Sequence, residues 1–324
     1  MRVENPKFSY ELFKRFFHIC STRPNSVQIE ITNRCNLDCK MCPKGNYALP
    51  EKDIDLDLFN ELVKKIKGVD VVLPVGWGES FFHPEFDKII DILLDAGHRI
   101  KVTTNGMLLN NEKSIETALK IDYLTFSIDM LDNIHSSSGH NNPRAIQNIK
   151  ELLHKRKLKN KKKPFIAVQS VLYKNNKEIL DIIKLASDLG VDRVNLVRPY
   201  TKFNKSISST FEDRLQIYRS AEKLGKKLKI RVDMFEYSTF KGYKRLLWKY
   251  FKSIFRINDW CPRLYGFCYI TLDGMVTPCC ALPRHIVGDL KKETLTQIWN
   301  GKNMKEFRKH HKQICRDCHV FKIR

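Results

Sequence analysis

Three cysteines near the amino terminus have a spacing suited to holding an iron–sulfur cluster. Cys35, Cys39 and Cys42 form a Cys-x3-Cys-x2-Cys loop. Cubane clusters are held by thiolates, usually four per cluster, so a loop with three cysteines leaves one iron open for a substrate or a cofactor. Zinc sites more often pair two Cys-x2-Cys knuckles, which this loop lacks. The loop therefore predicts an oxygen-sensitive [4Fe–4S] cluster with one open iron.

The cysteines of this chain are clustered rather than scattered. The 324 residues include ten cysteines, which fall in two blocks at 35–42 and 261–318 with only Cys20 outside. Clustering favours metal ligation over scattered core thiols. Thiols in a reducing compartment do not form disulfides. We therefore expect metal sites in both blocks.

The ends and the apolar runs of the chain predict a cytoplasmic protein. Glu4, Lys7 and Glu11 lie where a signal peptide needs an unbroken apolar stretch. No apolar run has the length of a helix that spans a bilayer. Residues 1–26 are predicted to form an N-terminal helical extension.

The chain carries a large excess of positive charge. Lys and Arg number 58 and Asp and Glu 36, which gives a net charge of +22. This excess favours anionic partners such as phosphorylated substrates, nucleic acid, an anionic membrane or an acidic electron donor. A lysine-rich proteome, as in many thermophiles, gives the same excess without any such partner.

Residues 27–199 show a repeating strand and helix pattern. The predicted strands are Ser26–Thr32, Val69–Val75, Arg99–Thr104, Tyr123–Ile128, Phe165–Leu172 and Arg193–Val197. The predicted helices between them are Leu56–Lys67, Pro84–Gly97, Asn111–Lys120, Asn142–Lys157 and Lys177–Gly190. Alternating strands and helices indicate an α/β fold, and six strands are too few for a closed eight-stranded barrel. We therefore predict a partial (β/α)6 barrel.

Two further segments follow the predicted barrel. Residues 200–258 are predicted to be a helical connector, and residues 259–324 a small β-hairpin and helix module with its turn at Asp273-Gly274. In the connector, apolar residues recur at helical spacing from Tyr243 to Phe255 with only basic residues between them. Such a helix could lie on an anionic membrane surface, although an apolar stripe usually faces a core.

The residues with chemical potential follow the carboxyl ends of the predicted strands, where sites in such folds lie. The cysteine loop follows the first strand, and Gly76-Trp77-Gly78-Glu79 follows the second. The remaining residues follow the third, fourth and sixth strands: Thr104-Asn105-Gly106, Ser127, Asp129 and Arg198.

These motifs together resemble a known family. The sequence ITNRCNLDCKMCPKG, followed by GWGES, TTNG and SID, resembles the radical S-adenosylmethionine (SAM) superfamily over residues 27–199. The resemblance implies that Cys35, Cys39 and Cys42 hold a [4Fe–4S] cluster, and that the amino and carboxylate groups of SAM chelate its fourth iron.

The resemblance also implies a set of SAM contacts. Trp77-Gly78-Glu79 matches the glycine-glycine-glutamate element that holds the methionine amine, with Trp77 in place of the first glycine and Ser80 in place of the usual proline. Further implied contacts follow the third to sixth strands: Asn105, Ser127, Asp129, Gln169, Leu196 and Arg198.

The carboxyl-terminal block resembles the SPASM/twitch domain of radical SAM enzymes. The resemblance is carried by the spacing of the cysteines around Gly274 and by ITLDGMVTPCC, VGDL, TQIWNG and EFR. It implies one auxiliary [4Fe–4S] cluster held by Cys261, Cys279, Cys315 and Cys318. The alternative is a structural zinc ion with four cysteine ligands. Cys268 and Cys280 are not assigned to this cluster, and either could replace one of the four ligands or be a free thiol.

The resemblance implies the reaction type but not the substrate. Reductive cleavage of SAM gives a 5′-deoxyadenosyl radical that abstracts hydrogen from a substrate, and the auxiliary cluster would accept an electron or position the substrate. The electron donor would be a ferredoxin or a flavodoxin.

The first hypothesis for the substrate is a small molecule that is oxidised or rearranged, as in the twitch-domain dehydrogenase of aminocyclitol biosynthesis. Maturation of a metalloenzyme or its pterin cofactor, as in the tungsten-enzyme cofactor-modifying group, is the second.

Two alternatives remain open at this point. The first is a peptide-modifying maturase or an epimerase. In sulfatase-maturing relatives an acid acts as the base at the position of Cys280, and a thiol there could donate a hydrogen atom. The second, from another class, is an iron–sulfur protein that binds nucleic acid, which the basic run KRKLKNKKK at 155–163 motivates. The simpler interpretation of this run is a solvated loop.

Overall fold

The computed structural model describes residues 22–39, 42, 44, 50–129, 142–172, 178–199, 209–234, 261–315 and 318. The predicted basic amphipathic helix at 243–256 lies outside the described residues, as does nearly all of the predicted N-terminal extension.

The described strands form one sheet in the order β10-β9-β8-β1-β2-β3-β4-β5-β6-β7. They are β1 (Ser26–Ile29), β2 (Val71–Leu73), β3 (Arg99–Thr104), β4 (Tyr123–Ser127), β5 (Phe165–Val171), β6 (Arg193–Val197), β7 (Arg231–Met234), β8 (Phe267–Ile270), β9 (Met275–Thr277) and β10 (Gly288–Asp289). From β1 to β7 each strand pairs in parallel with the next. The sheet is an open, barrel-like α/β arrangement, and the predicted fold class is confirmed.

Helices connect the parallel strands and cover one side of the sheet. They are α1 (Leu56–Lys65), α2 (Phe86–Asp95), α3 (Glu112–Ala118), α4 (Asn142–Leu158), α5 (Ile179–Leu189), α6 (Phe211–Lys227), α7 (Leu295–Asn300) and α8 (Lys302–Ile314). Short 3₁₀ turns occupy Ser80–Phe82 and Pro262–Tyr265. Among the described helices, none has the length and apolar character needed to cross a bilayer.

Side chains alternate across the sheet between a buried side and a half-buried side. In β4, Leu124 and Phe126 are fully buried and belong to the hydrophobic core that the helices also enter. Tyr123, Thr125 and Ser127 point the other way and are only partly buried. We call this second side the lumen of the barrel. Period-two alternation thus assigns each strand residue either to packing or to the lumen.

The strand β7 was not among the predicted strands. It follows α6 within the segment predicted to be a helical connector. In β7, Val232 and Met234 are buried while Arg231 is exposed. The other strands were predicted from runs of apolar, β-branched residues. β7 has only four residues and a charge at every second position, so it lacks this pattern.

The carboxyl-terminal hairpin is part of the same sheet as the barrel. The turn at Asp273-Gly274 forms as predicted, with Gly274 at φ 78°. β8 pairs in parallel with β1 along its whole length, from Ser26 opposite Phe267 to Ile29 opposite Ile270. The helix α7 adds Trp299, which is 1% exposed, to the shared hydrophobic core.

The shared core predicts that the barrel and the hairpin region are stabilised together. Trp299→Ala removes a buried ring and is expected to lower the free energy of unfolding by about 3–5 kcal/mol. Hydrogen exchange of the β1 amides should accelerate together with that of the β8 amides. The matched control is Leu158→Ala, because Leu158 is 69% exposed and its truncation should change stability by less than about 0.5 kcal/mol. Unchanged exchange in β1 alongside faster exchange in β8 would contradict the shared unit.

Candidate active site

The first cysteine loop begins at the carboxyl end of β1 and is anchored by Asp53. Thr32 Oγ1 donates to Asp53 Oδ1 at 2.6 Å, and Arg34 Nη1 donates to Asp53 Oδ2 at 2.9 Å. Within the loop, the Cys42 amide donates to the Cys39 carbonyl at 2.8 Å. These contacts fix the path of the backbone that carries the three thiols.

The electrostatics of the first loop show that its thiols share one site. Burial raises the pKa of Cys35, Cys39 and Cys42. For Cys39 the pKa rises to about 12, because the neighbouring Cys42 and Cys35 sulfurs add negative charge to the effect of burial. Thiolates grouped in this way need a positive partner, which iron would supply. The donor set therefore fits a cluster.

The turn after β2 lies directly against the cysteine loop. The Gly78 amide donates to the Thr32 carbonyl at 3.2 Å, and the Glu79 amide donates to the Arg34 carbonyl at 2.8 Å. A Cβ added at Gly78 would lie 2.3 Å from the Arg34 carbonyl oxygen. Only glycine permits this approach of two backbones.

The buried carboxylate of Glu79 joins the turns after β2 and β3. Oε1 accepts hydrogen bonds from Thr104 Oγ1 at 2.7 Å and from the Phe81 amide at 3.2 Å. Oε2 accepts from the Asn105 amide at 2.8 Å. Burial raises the Glu79 pKa, and these donors lower it. A carboxylate oxygen can accept two hydrogen bonds, so Oε2 retains a position for a ligand amine.

Asn105 links the turn after β3 to the cysteine loop. Its Nδ2 donates to Asn36 Oδ1 at 2.9 Å. In turn, Asn148 Nδ2 donates to the Gly106 carbonyl at 2.8 Å and holds the same turn from α4. The geometry therefore gives Asn105 a positioning contact with the loop.

Asp129 supplies a buried polar atom suited to a ligand. Its side chain is 1% exposed, and its Oδ1 accepts from the Val171 amide at 2.7 Å. Within the described residues its Oδ2 has no hydrogen-bond partner. Burial raises the Asp129 pKa to about 6, and the Asp129 charge raises the pKa of Cys39. A buried oxygen without a partner is costly, so a donor from a ligand beside the cysteine loop would stabilise it.

The structure separates the remaining predicted SAM contacts into two groups. Ser127 and Gln169 lie directly opposite each other across β4 and β5, on the lumen side. Leu196 lies on the other side of the sheet, is 1% exposed and belongs to the hydrophobic core. Strand alternation points the Leu196 side chain at the helices rather than at the lumen, and its contact with SAM stays a prediction. Arg198 follows β6 and is partly buried.

The second block brings most of its predicted ligands together. Burial, together with the nearby Cys279 and Cys318 sulfurs, raises the Cys261 pKa to about 11. The Cys318 amide donates to the Cys315 carbonyl at 2.9 Å and closes the Cys-x2-Cys turn. Cys268 lies apart, because it is fully buried on β8 and the one charged group that affects its pKa is Arg308. Cys268 is thus a core residue.

Arg263 is a charged residue in the second block that sequence reasoning missed. Its Nη1 lies 3.2 Å from Cys280 Sγ and 3.4 Å from Cys279 Sγ. The Cys280 thiol and Arg263 hydrogen-bond to Cys279, and they lower the Cys279 pKa well below its usual range, while the same thiol pair and burial raise that of Cys280. The Arg263 guanidinium therefore favours negative charge on this pair of sulfurs. The sequence signal that could have identified Arg263 is its position two residues after Cys261.

The two cysteine groups lie at opposite ends of β1. The first loop follows the carboxyl end of β1. Because β8 is parallel to β1 and β9 is antiparallel to β8, Cys261 before β8 and Cys279 after β9 lie at the amino end of β1. None of the nine described cysteines forms a disulfide. Among the described residues, no three His, Cys, Asp or Glu side chains converge on one metal ion. Ligands of a cubane each bind a different iron and need not converge in that way.

The barrel, the two thiol groups and the buried oxygen of Asp129 define an iron–sulfur enzyme with a site at the carboxyl ends of its strands. The signature of the Radical SAM superfamily matches residues 29–202, and that of the Iron-sulfur cluster-binding domain named SPASM matches residues 261–319. The chain belongs to the radical SAM superfamily. Its cofactors are SAM, the SAM-binding [4Fe–4S] cluster and an auxiliary cluster.

Curated relatives carry several activities. The tungsten-containing aldehyde ferredoxin oxidoreductase cofactor-modifying protein of Pyrococcus furiosus is 33% identical over 51% of this chain and 49% of its own length. The AdoMet-dependent heme synthase of Methanosarcina barkeri is 24% identical over 88% of this chain and 84% of its own. The sporulation killing factor maturation protein SkfB of Bacillus subtilis is 24% identical over 79% and 60%. The chain thus spans about half of the first relative.

Solved structures share the fold. SuiB of Streptococcus suis bound to S-adenosylmethionine gives a TM-score of 0.69 at 15% identity, covering 100% of this chain and 78% of SuiB. The enzyme anSMEcpe with bound AdoMet gives 0.66 at 16% identity, covering 91% of this chain and 83% of that one. At these identities the likeness shows the fold alone.

The close contact at Gly78 predicts a specific defect. Gly78→Ala is expected to lower the iron content after anaerobic reconstitution from about eight to about four irons per chain, one cubane's worth, because the added Cβ displaces the cysteine loop. Gly97→Ala is the control, because an added Cβ at Gly97 has no atom within 4 Å, so the substitution introduces only the backbone strain of its positive φ. It should cost roughly 1–2 kcal/mol and keep its iron. Wild-type iron content in Gly78→Ala would contradict the role of Gly78.

The contact of Arg263 with two sulfurs predicts an effect on redox potential. Arg263→Leu is expected to shift the midpoint potential of the auxiliary cluster to a more negative value, because a hydrogen bond and a positive charge near the sulfurs favour the reduced cluster. A redox titration followed by EPR measures the shift. Arg263→Lys, which keeps the charge, should shift the potential less. An unchanged potential in an Arg263→Leu protein that retains its cluster would disprove the effect.

Proposed function

We propose that this protein oxidises a small-molecule or cofactor substrate held in the lumen of the barrel. In the proposed reaction the substrate loses a hydrogen atom, then a proton and an electron. When bound, the first cluster with SAM supplies a 5′-deoxyadenosyl radical on reduction, and the auxiliary cluster supplies an electron acceptor. The observation that carries the proposal is the placement of the two thiol groups at opposite ends of β1.

The residues of this chain have separate proposed roles around the lumen. Cys35, Cys39 and Cys42 hold the first cluster, and Gly78 and Glu79 hold the turn that contacts SAM. Further proposed SAM contacts are Asn105, Ser127, Asp129, Gln169 and Arg198. The proposed ligands of the auxiliary cluster are Cys261, Cys279, Cys315 and Cys318. The barrel wall shields the reacting atoms from water.

The names of two relatives support a cofactor or small-molecule substrate. The Pyrococcus protein is named for modifying a cofactor, and the Methanosarcina protein is named as a heme synthase and aligns along most of both chains. The net charge of +22 suits an acidic ferredoxin or flavodoxin as the electron donor. We propose a cytoplasmic location, where reduced thiols persist.

Peptide modification is the second candidate function. SkfB, a maturation protein, aligns over 79% of this chain, and the fold matches that of SuiB bound to its precursor peptide with a TM-score of 0.68. Epimerisation would use the Cys280 thiol as the hydrogen-atom donor. In deuterated water an epimerase incorporates deuterium into its product at the reacting carbon. A dehydrogenase instead releases a product that has two fewer hydrogens than the substrate.

Cleavage of SAM tests the proposal directly. The anaerobically reconstituted protein, given SAM and dithionite, is expected to form 5′-deoxyadenosine, which liquid chromatography quantifies. Cys35→Ala should reduce the yield to the background of protein without a cluster, because one ligand of the first cluster is lost. Cys268→Ala, which removes a buried core thiol of the same kind, should retain the yield. Wild-type protein that forms no 5′-deoxyadenosine would favour the nucleic-acid-binding alternative.

A further inference from the structure

Four side chains form a row on the lumen side of β3 to β6. Lys101, Tyr123 and Phe165 lie opposite one another across β3, β4 and β5. Arg193 on β6 lies opposite Ala167, two residues beyond Phe165 on the same side of the sheet. The row therefore crosses four adjacent strands near their amino ends.

The members of this row are in contact. Lys101 Nζ lies 4.7 Å from the centre of the Tyr123 ring, and the guanidinium carbon of Arg193 lies 5.0 Å from the centre of the Phe165 ring. The two rings are 5.8 Å apart. Two cations thus flank an aromatic pair, and the cation–π contacts hold both cations over the lumen wall.

The positive charge of the row is only partly balanced. In the described part of the chain, Lys101 has no carboxylate within ion-pair distance. Arg193 pairs with Asp233 at 3.3 Å, but Asp233 also pairs with Arg231 at 2.7 Å, so one carboxylate serves two guanidiniums. Burial and the nearby Arg99 and Arg193 charges lower the Lys101 pKa, while the Asp70 charge partly offsets them. A bound anion would relieve this repulsion.

The row also stands at a suitable distance from the proposed SAM contacts. Lys101 and Asn105 are four residues apart along β3, or about 13 Å at 3.3 Å per residue. Ser127 and Gln169 lie on the same side of the sheet as the row, toward the carboxyl ends. The row and the proposed SAM contacts thus share one side of the sheet, at opposite ends of its strands.

The basic run at 155–163 differs from the row because most of it is exposed. Four of its seven basic residues form ion pairs: Lys155–Glu112, Arg156–Asp192, Lys159–Glu116 and Lys163–Asp122. In the row, Arg193 pairs with Asp233, and among the described residues no carboxylate lies within ion-pair distance of Lys101.

We propose that Lys101 and Arg193 bind an anionic part of the substrate, made of phosphate or carboxylate groups, inside the lumen. The Tyr123 and Phe165 rings between the two cations pack against that part of the substrate, and the other end of the molecule extends toward the SAM contacts. The proposal rests on the proposed function and names its substrate class as an anionic small molecule or cofactor.

Anion binding to the reconstituted full chain tests the proposal. Inorganic phosphate and succinate serve as probes, titrated separately by calorimetry at constant ionic strength. Wild-type protein is expected to bind at least one of them, and Lys101→Met and Arg193→Met to weaken that binding at least tenfold. Lys101→Arg keeps the charge and should stay within threefold of wild type. Preference for one probe identifies the anion as phosphate or carboxylate.

The matched control is Lys162→Met, because Lys162 is exposed on the basic run and loses the same charge. It should bind as wild type does. Failure of the wild type to bind either probe overturns the proposal, as does equal weakening in Lys162→Met and Lys101→Met. Thermal unfolding in chloride buffer establishes that each variant is folded. If Lys101→Met is not folded, Lys101→Gln takes its place.

The outcome is separable from that of the proposed function. Anion binding needs no cleavage of SAM, so binding without 5′-deoxyadenosine formation disproves the proposed function and keeps the anion site. Cleavage of SAM without any anion binding disproves the anion site and keeps the proposed function.

Discussion

Backbone pairing between β1 and β8 is the constraint on which the rest of the structure depends. The first cysteine loop follows β1 at one end, and the residues around β8 carry the second cysteine group at the other end. β1 has four residues, or about 13 Å at 3.3 Å per residue. Because ladder hydrogen bonds fix the register, the distance between the two groups is set by the sheet rather than by a linker. In the proposed function, a substrate in the lumen then lies between two redox centres.

The cysteine loop itself is held by polar contacts with the turns beside it. The amides of Gly78 and Glu79 bond to carbonyls of the loop, and Asn105 bonds to Asn36 within it. The Glu79 carboxylate joins the turns after β2 and β3 from a fully buried position. Buried polar networks are costly unless their members are satisfied, and here the protein satisfies nearly all of them. Asp129 Oδ2 has no hydrogen-bond partner among the described residues, and the Asp129 charge raises the pKa of Cys39 in the loop.

Much of this organisation could be predicted from residue types alone. The six strands β1 to β6 were predicted because apolar runs bounded by turn residues are strong local signals. The strand β7 was missed because its alternating charges suit only a sheet edge. The pairing of β8 with β1 joins residues more than 200 positions apart, and no local pattern encodes such a contact.

The candidate site shows the same division. The cysteines, Gly78 and Asp129 could be found because their types and spacing carry the chemistry. The face on which Leu196 lies could not be assigned, because a one-residue change of register reverses it. Arg263, Lys101 and Arg193 were missed because single basic residues in a chain of net charge +22 carry no signal until the fold gives them neighbours.

The central claim is that one lumen lies between two different clusters, only the first of which binds SAM. Mössbauer spectroscopy of the protein reconstituted with ⁵⁷Fe, with and without SAM, tests this claim most directly. The account predicts about eight irons per chain in two cubanes, with the signal of one iron in one cubane changed by SAM. About four irons per chain together with stoichiometric zinc would contradict it, and so would a spectrum that SAM leaves unchanged.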